Sequence, residues 1–165
     1  MSNWQIKRLG PDDIGLFRQM NGLFAEVFED ETTYLATPPS DRYVRELLAK
    51  ETVHALMAIE AGAVIGALVA YELSKFESER AEVYIYDLAV SAAQRRKGIA
   101  TELIGQLCDI ASQRGAWVVY VQADYVDEPA VALYTKLGTR EDVMHFDIPV
   151  RPAPAGRASG AGRPY

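Results

Sequence analysis

The sequence predicts a single α/β domain of the α+β kind: a mixed central β-sheet flanked by helices. Three observations carry that expectation. The hydrophobic period switches repeatedly between that of a helix and that of a strand, in the order β-α-α-β-β-β-α-β-α-β, and the later strands are each followed by a helix. The 165 residues are 49% hydrophobic and 24% charged, enough for one substantial core and typical of a globular chain in water. No internal repeat or composition break interrupts residues 1–150. Residues 151–165, RPAPAGRASGAGRPY, hold almost no apolar bulk and read as a disordered tail.

Trp4 to Leu9 reads as the first strand. Pro11-Asp12-Asp13 then opens a helix that places Ile14, Phe17, Met20, Leu23 and Phe24 at helical spacing. A second helix starts near Asp41 and gathers Tyr43, Val44, Leu47 and Leu48 on one face. Val53 to Ile59 and Ala63 to Tyr71 flank the turn signal Glu60-Ala61-Gly62 and are expected to pair as a hairpin. Ala81 to Val90, AEVYIYDLAV, is a longer strand rich in Val, Ile and Tyr. Ile99 to Ser112 is a helix, Trp117 to Ala123 a buried strand, Asp127 to Leu137 a helix and Val143 to Ile148 a last strand. The lone cysteine, Cys108, falls in an apolar-periodic helix and is expected as a small buried hydrophobe. A single cysteine excludes an intrachain disulfide and a Cys-based metal site.

Charge is unevenly spread. Of 17 basic and 23 acidic residues, three arginines and no acids lie in the tail, which leaves 14 against 23 in the body, a net of −9. A field of that sign gathers cations and repels nucleic acid. A polycationic small molecule or a basic peptide is therefore the expected partner, with solubility alone as the plainer alternative. No apolar run of bilayer length occurs, and the start MSNWQIKRLG lacks the apolar core of a secretory signal, so no membrane partner and a cytoplasmic location are expected. His54 and His145 are too few and too separated for a metal argument, and no metal is expected.

The stretch AVSAAQRRKGIATELI, residues 89–104, sets Arg95, Arg96 and Lys97 ahead of Gly98, between a strand and a helix. Unsatisfied N–H groups at a helix start, the helix dipole and a glycine that lets a phosphate approach the backbone together make an anion site; a solvated basic loop is the alternative. The order Lys-Gly is the reverse of that in nucleoside triphosphatase phosphate loops, and no G-x-G-x-x-G is present.

These residues carry a resemblance. Arg95-Arg96-Lys97-Gly98-Ile99-Ala100 resembles the Arg/Gln-x-x-Gly-x-Gly/Ala signature of the GNAT superfamily of acetyl-CoA-dependent N-acetyltransferases, and AVALYTKLG, residues 130–138, resembles its second motif. YIYDLAV, RRKGIAT, YVQADY, DEPAVALYTKLG and EDVMHFDI together are similar to the type I aminoglycoside 3-N-acetyltransferases, antibiotic-resistance enzymes, over most of residues 4–148. Thr139 departs from the aromatic that many members carry after the glycine.

The resemblance implies a GNAT fold whose splayed central strands form an acetyl-CoA cleft, with acetyl-CoA as cosubstrate and an aminoglycoside acetylated on its 3-amino group. It implies main-chain contacts from Leu88, Ala89 and Val90 to the pantetheine arm. It also implies a pyrophosphate site built from Arg95, Arg96, Lys97, Gly98, Ile99, Ala100 and Thr101. Dimers are common among similar enzymes, which leaves the chain's own state open between monomer and homodimer.

An acyl thioester is already activated, so the protein must bind it, place a neutral amine and manage two protons. Asp87 is the candidate base, because it interrupts an otherwise apolar strand where a carboxylate is costly to bury unless paired, hydrated or functional. Its alternative role is to accept hydrogen bonds at a strand irregularity. Glu82, near the beginning of the same strand, is a second carboxylate for the amine or an ordinary exposed charge. Tyr134 is the candidate general acid by resemblance; from spacing alone it is a core aromatic. Asp124, Asp127, Glu128 and Asp147 are candidates to hold substrate ammonium groups, although Asp127 is equally placed to cap a helix. No nucleophile suggests an acetyl-enzyme. A polyamine or peptide N-terminus as acceptor, or a noncatalytic acyl-CoA-binding module, are the competing readings.

Overall fold

The computed structural model describes residues 3–150. Five strands form one sheet in the order β1 (Gln5–Arg8), β2 (Val53–Glu60), β3 (Ala63–Ser74), β4 (Ala81–Val90) and β5 (Ala116–Val121). The first three pairings are antiparallel and β4–β5 is parallel. Helices α1 (Ile14–Phe28), α2 (Glu31–Tyr34) and α3 (Asp41–Leu48) precede β2. Helix α4 (Ile99–Gln113) joins β4 to β5, and α5 (Glu128–Leu137) follows β5. The mixed, helix-flanked sheet is the architecture expected from the sequence.

Both faces of the inner strands are buried, so β2 reads as a continuous apolar run rather than as an alternation. On one face Ala55, Met57, Ala67 and Ala89 meet Phe17, Met20, Leu23 and Phe24 of α1 with Val44 and Leu48 of α3. On the other, Leu56, Ala58, Leu68, Ala70, Val83 and Ile85 meet Ile99, Leu103, Leu107 and Ala111 of α4. The β2–β3 turn is a two-residue loop. Glu60 pairs with Ala63, and Ala61 and Gly62 both take positive φ, 49° and 81°, the geometry that matches strand twist. Gly66 on β3 is required by close approach: a Cβ there would lie 2.7 Å from Ile99 Cγ2 and 3.4 Å from Leu103 Cδ1. Its missing side chain seats the start of α4 against the sheet.

Four expectations are corrected. The one-turn helix α2 was not foreseen; Asp30 caps it by accepting from the Thr33 amide at 2.9 Å. The strand expected over Val143–Ile148 does not form, because the segment finds no partner among the described residues. The strand beginning near Trp117 is an edge strand, not a buried one, and leaves Trp117 and Val118 exposed. Cys108 is exposed, because the buried stripe of α4 is Ile99, Leu103, Leu107 and Ala111 and Cys108 follows Leu107 by one residue. The expected tail, residues 151–165, lies outside the described residues. No described helix is long and apolar enough to cross a membrane.

Candidate active site

The sheet opens between β4 and β5. β4 stays paired with β3 as far as Gly66↔Val90, but with β5 only as far as Ile85↔Val121. From Tyr86 onward its outer edge has no strand partner among the described residues, so the backbone groups of the Leu88–Val90 stretch that point away from β3 are not engaged by a neighbouring strand. A bulge coincides with the parting: Ile85 faces Ala70 and Asp87 faces Val69, so Tyr86 is the extra residue.

The basic loop sits directly after that free edge. A 3-10 turn over Ala92–Gln94 leads to Arg95, whose Nε donates to the Val90 carbonyl at 3.3 Å. Arg96 has φ 64° and Gly98 φ 92°, so two residues in left-handed conformation turn the chain into the start of α4. Such alternation curls successive amides into a concave, anion-binding arrangement. Ile99, Ala100 and Thr101 add the unsatisfied amides of the first helical turn. A Cβ at Gly98 would meet nothing within 4 Å, so it is the positive φ and not packing that calls for glycine here. Lys97 Nζ donates to Gln94 Oε1 at 2.6 Å, and Gln94 donates to Glu60 Oε2 at 3.0 Å, which braces the loop against the β2–β3 hairpin. The amides and cations here, continuous with the free β4 edge, fit a pyrophosphate-bearing pantetheine carrier.

Asp87 lies half-buried where the bulge turns its side chain toward α1 and α2. It lines a cavity of about 200 Å³ together with Phe24, Thr33, Tyr34, Val69 and Tyr71. Tyr34 donates its hydroxyl to Asp87 Oδ1 at 2.9 Å, and the Tyr34 ring is held by Phe24 and Phe28 at centroid distances of 5.6 and 5.9 Å. Burial raises the Asp87 pKa above the ordinary carboxylate value, and the Tyr34 hydrogen bond pulls it partly back. The same pair raises the Tyr34 hydroxyl far above a free phenol, with burial the larger cause. Beside Asp87 runs a wall of tyrosines: Tyr71 meets Tyr86 edge-on at 5.9 Å, Tyr86 meets Tyr84 at 5.8 Å, and Tyr84 stacks on Tyr120 at 5.0 Å. The structure shows Asp87 accepting a hydroxyl at a strand irregularity and lining a cavity.

Tyr134 sits half-buried on α5, its hydroxyl pushed up to about 12 by burial, with the Asp127 charge as a lesser cause. Asp127 Oδ1 accepts from the Ala130 amide at 3.1 Å and caps α5, and Glu128 follows in the first turn. Asp124 is exposed in the same β5–α5 loop, its carbonyl accepting from the Asp127 amide. Glu82 accepts from Trp117 Nε1 at 3.2 Å and pairs with Lys75 at 3.4 Å, away from the cavity lining. Asp147 pairs with His145 at 3.0 Å in the exposed C-terminal segment. The structure thus sets the basic loop directly after the strand that carries Asp87, and places Asp124 in the β5–α5 loop with Asp127 and Glu128 at the start of α5.

Sequence reasoning missed Tyr34, Tyr71 and the tyrosine wall. The cap signal Asp30-Glu31-Thr32-Thr33 marks α2 and was the one available pointer to Tyr34. Among the described residues no group of three or more His, Cys, Asp or Glu is placed to hold a metal ion.

Residues 21–139 match the model of the acetyltransferase (GNAT) family. Among solved structures, the chain is similar to an aminoglycoside acetyltransferase from an uncultured soil metagenomic sample, with 50% identity over 92% of this chain and 100% of that one and a TM-score of 0.89. It is also similar to a second soil-metagenome aminoglycoside acetyltransferase, solved in complex with sisomicin, with 30% identity over 90% and 97% of the two chains and a TM-score of 0.83. The ribosomal-protein-alanine N-acetyltransferase of Brucella melitensis biovar Abortus 2308 shares the fold at 24% identity over 89% and 99% of the two chains, with a TM-score of 0.68. No curated protein matches the sequence.

Proposed function

The chain belongs to the GNAT family of acetyltransferases, and on that premise we propose that it transfers the acetyl group of acetyl-CoA to the 3-amino group of a 2-deoxystreptamine aminoglycoside. Such a reaction in the cytoplasm, where acetyl-CoA is made, protects its host from the drug. The observation that carries the reading is the free β4 edge running from Asp87 into the basic loop, set beside the relatives that are aminoglycoside acetyltransferases.

Acetyl-CoA supplies an activated acyl group. The amides of Arg96 to Thr101 hold its pyrophosphate, and the β4 edge at Leu88 to Val90 holds the pantetheine arm. Asp87 first pairs with the acceptor ammonium and takes one of its protons; the neutral amine nitrogen then forms the new N–C bond as the C–S bond breaks, and the second proton that nitrogen loses goes to the departing thiolate, which leaves as the thiol of coenzyme A. Burial of Asp87 favours this, because a carboxylate with a raised pKa is a better base. Tyr34 fixes the orientation of the carboxylate through Oδ1. Tyr134, held protonated by its raised pKa, donates a hydrogen bond toward the leaving sulfur. Asp124, Asp127 and Glu128 supply negative charge for the remaining ammonium groups, and the wall at Tyr71, Tyr84 and Tyr86 offers flat apolar faces to sugar rings.

The test is thiol release from acetyl-CoA with gentamicin, sisomicin, spermidine and a short peptide as acceptors, followed by NMR of the product. Turnover with the aminoglycosides and acetylation at N3 are expected, together with raised drug tolerance on expression. Turnover confined to spermidine or the peptide replaces the substrate. Stabilisation by coenzyme A with no turnover on any amine replaces the enzyme with a binding module.

A further inference from the structure

Three cations stand in the loop between β4 and α4, and the protein engages two of them. Arg95 Nε donates to the Val90 carbonyl at 3.3 Å. Lys97 Nζ donates to Gln94 Oε1 at 2.6 Å, and Gln94 donates on to Glu60 Oε2 at 3.0 Å, so Lys97 is tied through Gln94 to an acidic side chain of the β2–β3 hairpin. Arg96 is exposed, and among the described residues its guanidinium has neither a hydrogen-bond acceptor nor a carboxylate partner.

The backbone makes that idle side chain informative. Arg96 has φ 64°, one of three positive values among the described non-glycine residues; the others are Glu29 at 54° and Ala61 at 49°. Glu29 ends α1 and Ala61 sits in the two-residue hairpin loop, where chain reversal accounts for the conformation. Arg96 also turns its loop, but glycine would make the same turn without the crowding that a Cβ meets in the left-handed region. Two residues on, at Gly98, the chain does use glycine. A long cationic side chain kept where the backbone suits glycine, with no partner inside the protein, points to a ligand outside it.

On the coenzyme A reading given above, that ligand carries two kinds of phosphate. The amides of the loop and of the first turn of α4 meet the pyrophosphate. The 3′-phosphate on the ribose is a phosphomonoester with about 1.5 to 2 negative charges at neutral pH, and amides committed to the pyrophosphate leave it unmatched. The body of the chain, with 14 basic against 23 acidic residues, repels it. A guanidinium is planar and always charged, and it grips a phosphate through two parallel hydrogen bonds where an ammonium offers only a point charge.

We propose that the Arg96 side chain binds the 3′-phosphate of coenzyme A and thereby makes the protein select coenzyme A over its 3′-dephospho form. Arg95 and Lys97 shape the loop that presents it.

Isothermal titration calorimetry with coenzyme A and with 3′-dephospho-coenzyme A, on the intact chain and its variants, reads this selection. The unsubstituted protein is expected to bind coenzyme A about 10- to 100-fold more tightly than the dephospho form, the range of a hydrogen-bonded pair of charges. Arg96→Gly keeps the amide and suits the positive φ, so circular dichroism and Tm are expected to hold. It is expected to bring the two affinities within a few-fold by weakening coenzyme A alone. Arg96→Gln, which keeps a long side chain without the charge, is expected to do the same, and Lys97→Ala to keep the preference. Equal binding of both ligands by the unsubstituted protein overturns the proposal. A preference that survives both Arg96 variants, or vanishes in Lys97→Ala, overturns it by placing the contact elsewhere. An equal loss of both ligands in the Arg96 variants overturns it by making the side chain a support of the loop. Binding of neither ligand by the unsubstituted protein overturns it together with the coenzyme A reading on which it rests. The titration uses no acceptor, so the aminoglycoside assignment does not enter it.

Discussion

Residues 3–115 and residues 116–150 differ in how they are held. The first region buries residues on both sheet faces, with Met20, Phe24, Leu56, Leu68, Ile99 and Leu103 almost fully covered. The second, holding β5, α5 and the C-terminal segment, has no fully buried residue. The candidate base Asp87 and the basic loop belong to the first; the candidate acid Tyr134 and the acidic residues Asp124, Asp127 and Glu128 belong to the second. One half of the proposed site is thus held against a packed core, and the other half has no fully buried residue to hold it.

The sharpest way to break that contrast is to cut into each region. Leu103→Ala is expected to cost about 2–5 kcal/mol in denaturant unfolding, because a fully buried residue is lost from the α4 face. Val126→Ala, at an 89% exposed position, is expected to stay within about 0.5 kcal/mol. Equal losses would erase the distinction. Gly66→Ala comes next. Its Cβ would meet Ile99 Cγ2 at 2.7 Å, so α4 must shift at a cost of about 1–3 kcal/mol, and the KM for acetyl-CoA is expected to rise with it. An unchanged KM would separate the seating of α4 from the cofactor site.

Tyr34→Phe sharpens the contrast within the site. The hydrogen bond it removes lowers the pKa of Asp87, so its loss moves that pKa further up. Because the base works deprotonated, the acid limb of kcat/KM is expected to move to higher pH, with the rate near neutrality down roughly tenfold or less. A limb that stays in place would remove Tyr34 from the account. The smallest effect concerns His54, fully buried on β2 at 3.4 Å from Glu72 Oε2, while Glu72 also accepts from Arg114 Nε. Burial, and then the Arg8 charge, lower the His54 pKa, so below the ordinary histidine value of about 6.5 the unfolded chain binds the extra proton and stability falls with pH. The Glu72 pKa is lowered chiefly by Arg114, so its contribution is lost at lower pH still. A fall of a few degrees in Tm on acidification from neutrality is expected, and His54→Gln should flatten its first part.

Much of the first region was legible from residues alone. The hairpin follows from Glu60-Ala61-Gly62 between apolar runs, and the order strand, basic loop, glycine and helix at the proposed anion site was equally readable. Asp87 stood out because a carboxylate inside YIYDLAV needs a reason. What escaped depends on registers that one sequence does not display. Tyr34 lies on a single turn too short to show a period, and the Tyr71–Tyr86 contact depends on the bulge at Tyr86. The apolar run at WVVYV reads alike for a central and an edge strand, and the strand pattern at 143–148 is present without a partner to pair with. Cys108 was misjudged by one position of helical phase. Tyr134 rested on resemblance, since its spacing equally suits a packing role.

The most direct measurement of the central claim is the rate of thiol release from saturating acetyl-CoA with saturating gentamicin, for the unsubstituted protein and for Asp87→Asn, with coenzyme A binding measured on both. The account predicts turnover by the first and a fall of about 10²–10⁴-fold in the second at unchanged coenzyme A affinity. A variant within a few-fold of the unsubstituted rate would contradict it and return Asp87 to a purely structural part at the bulge of β4.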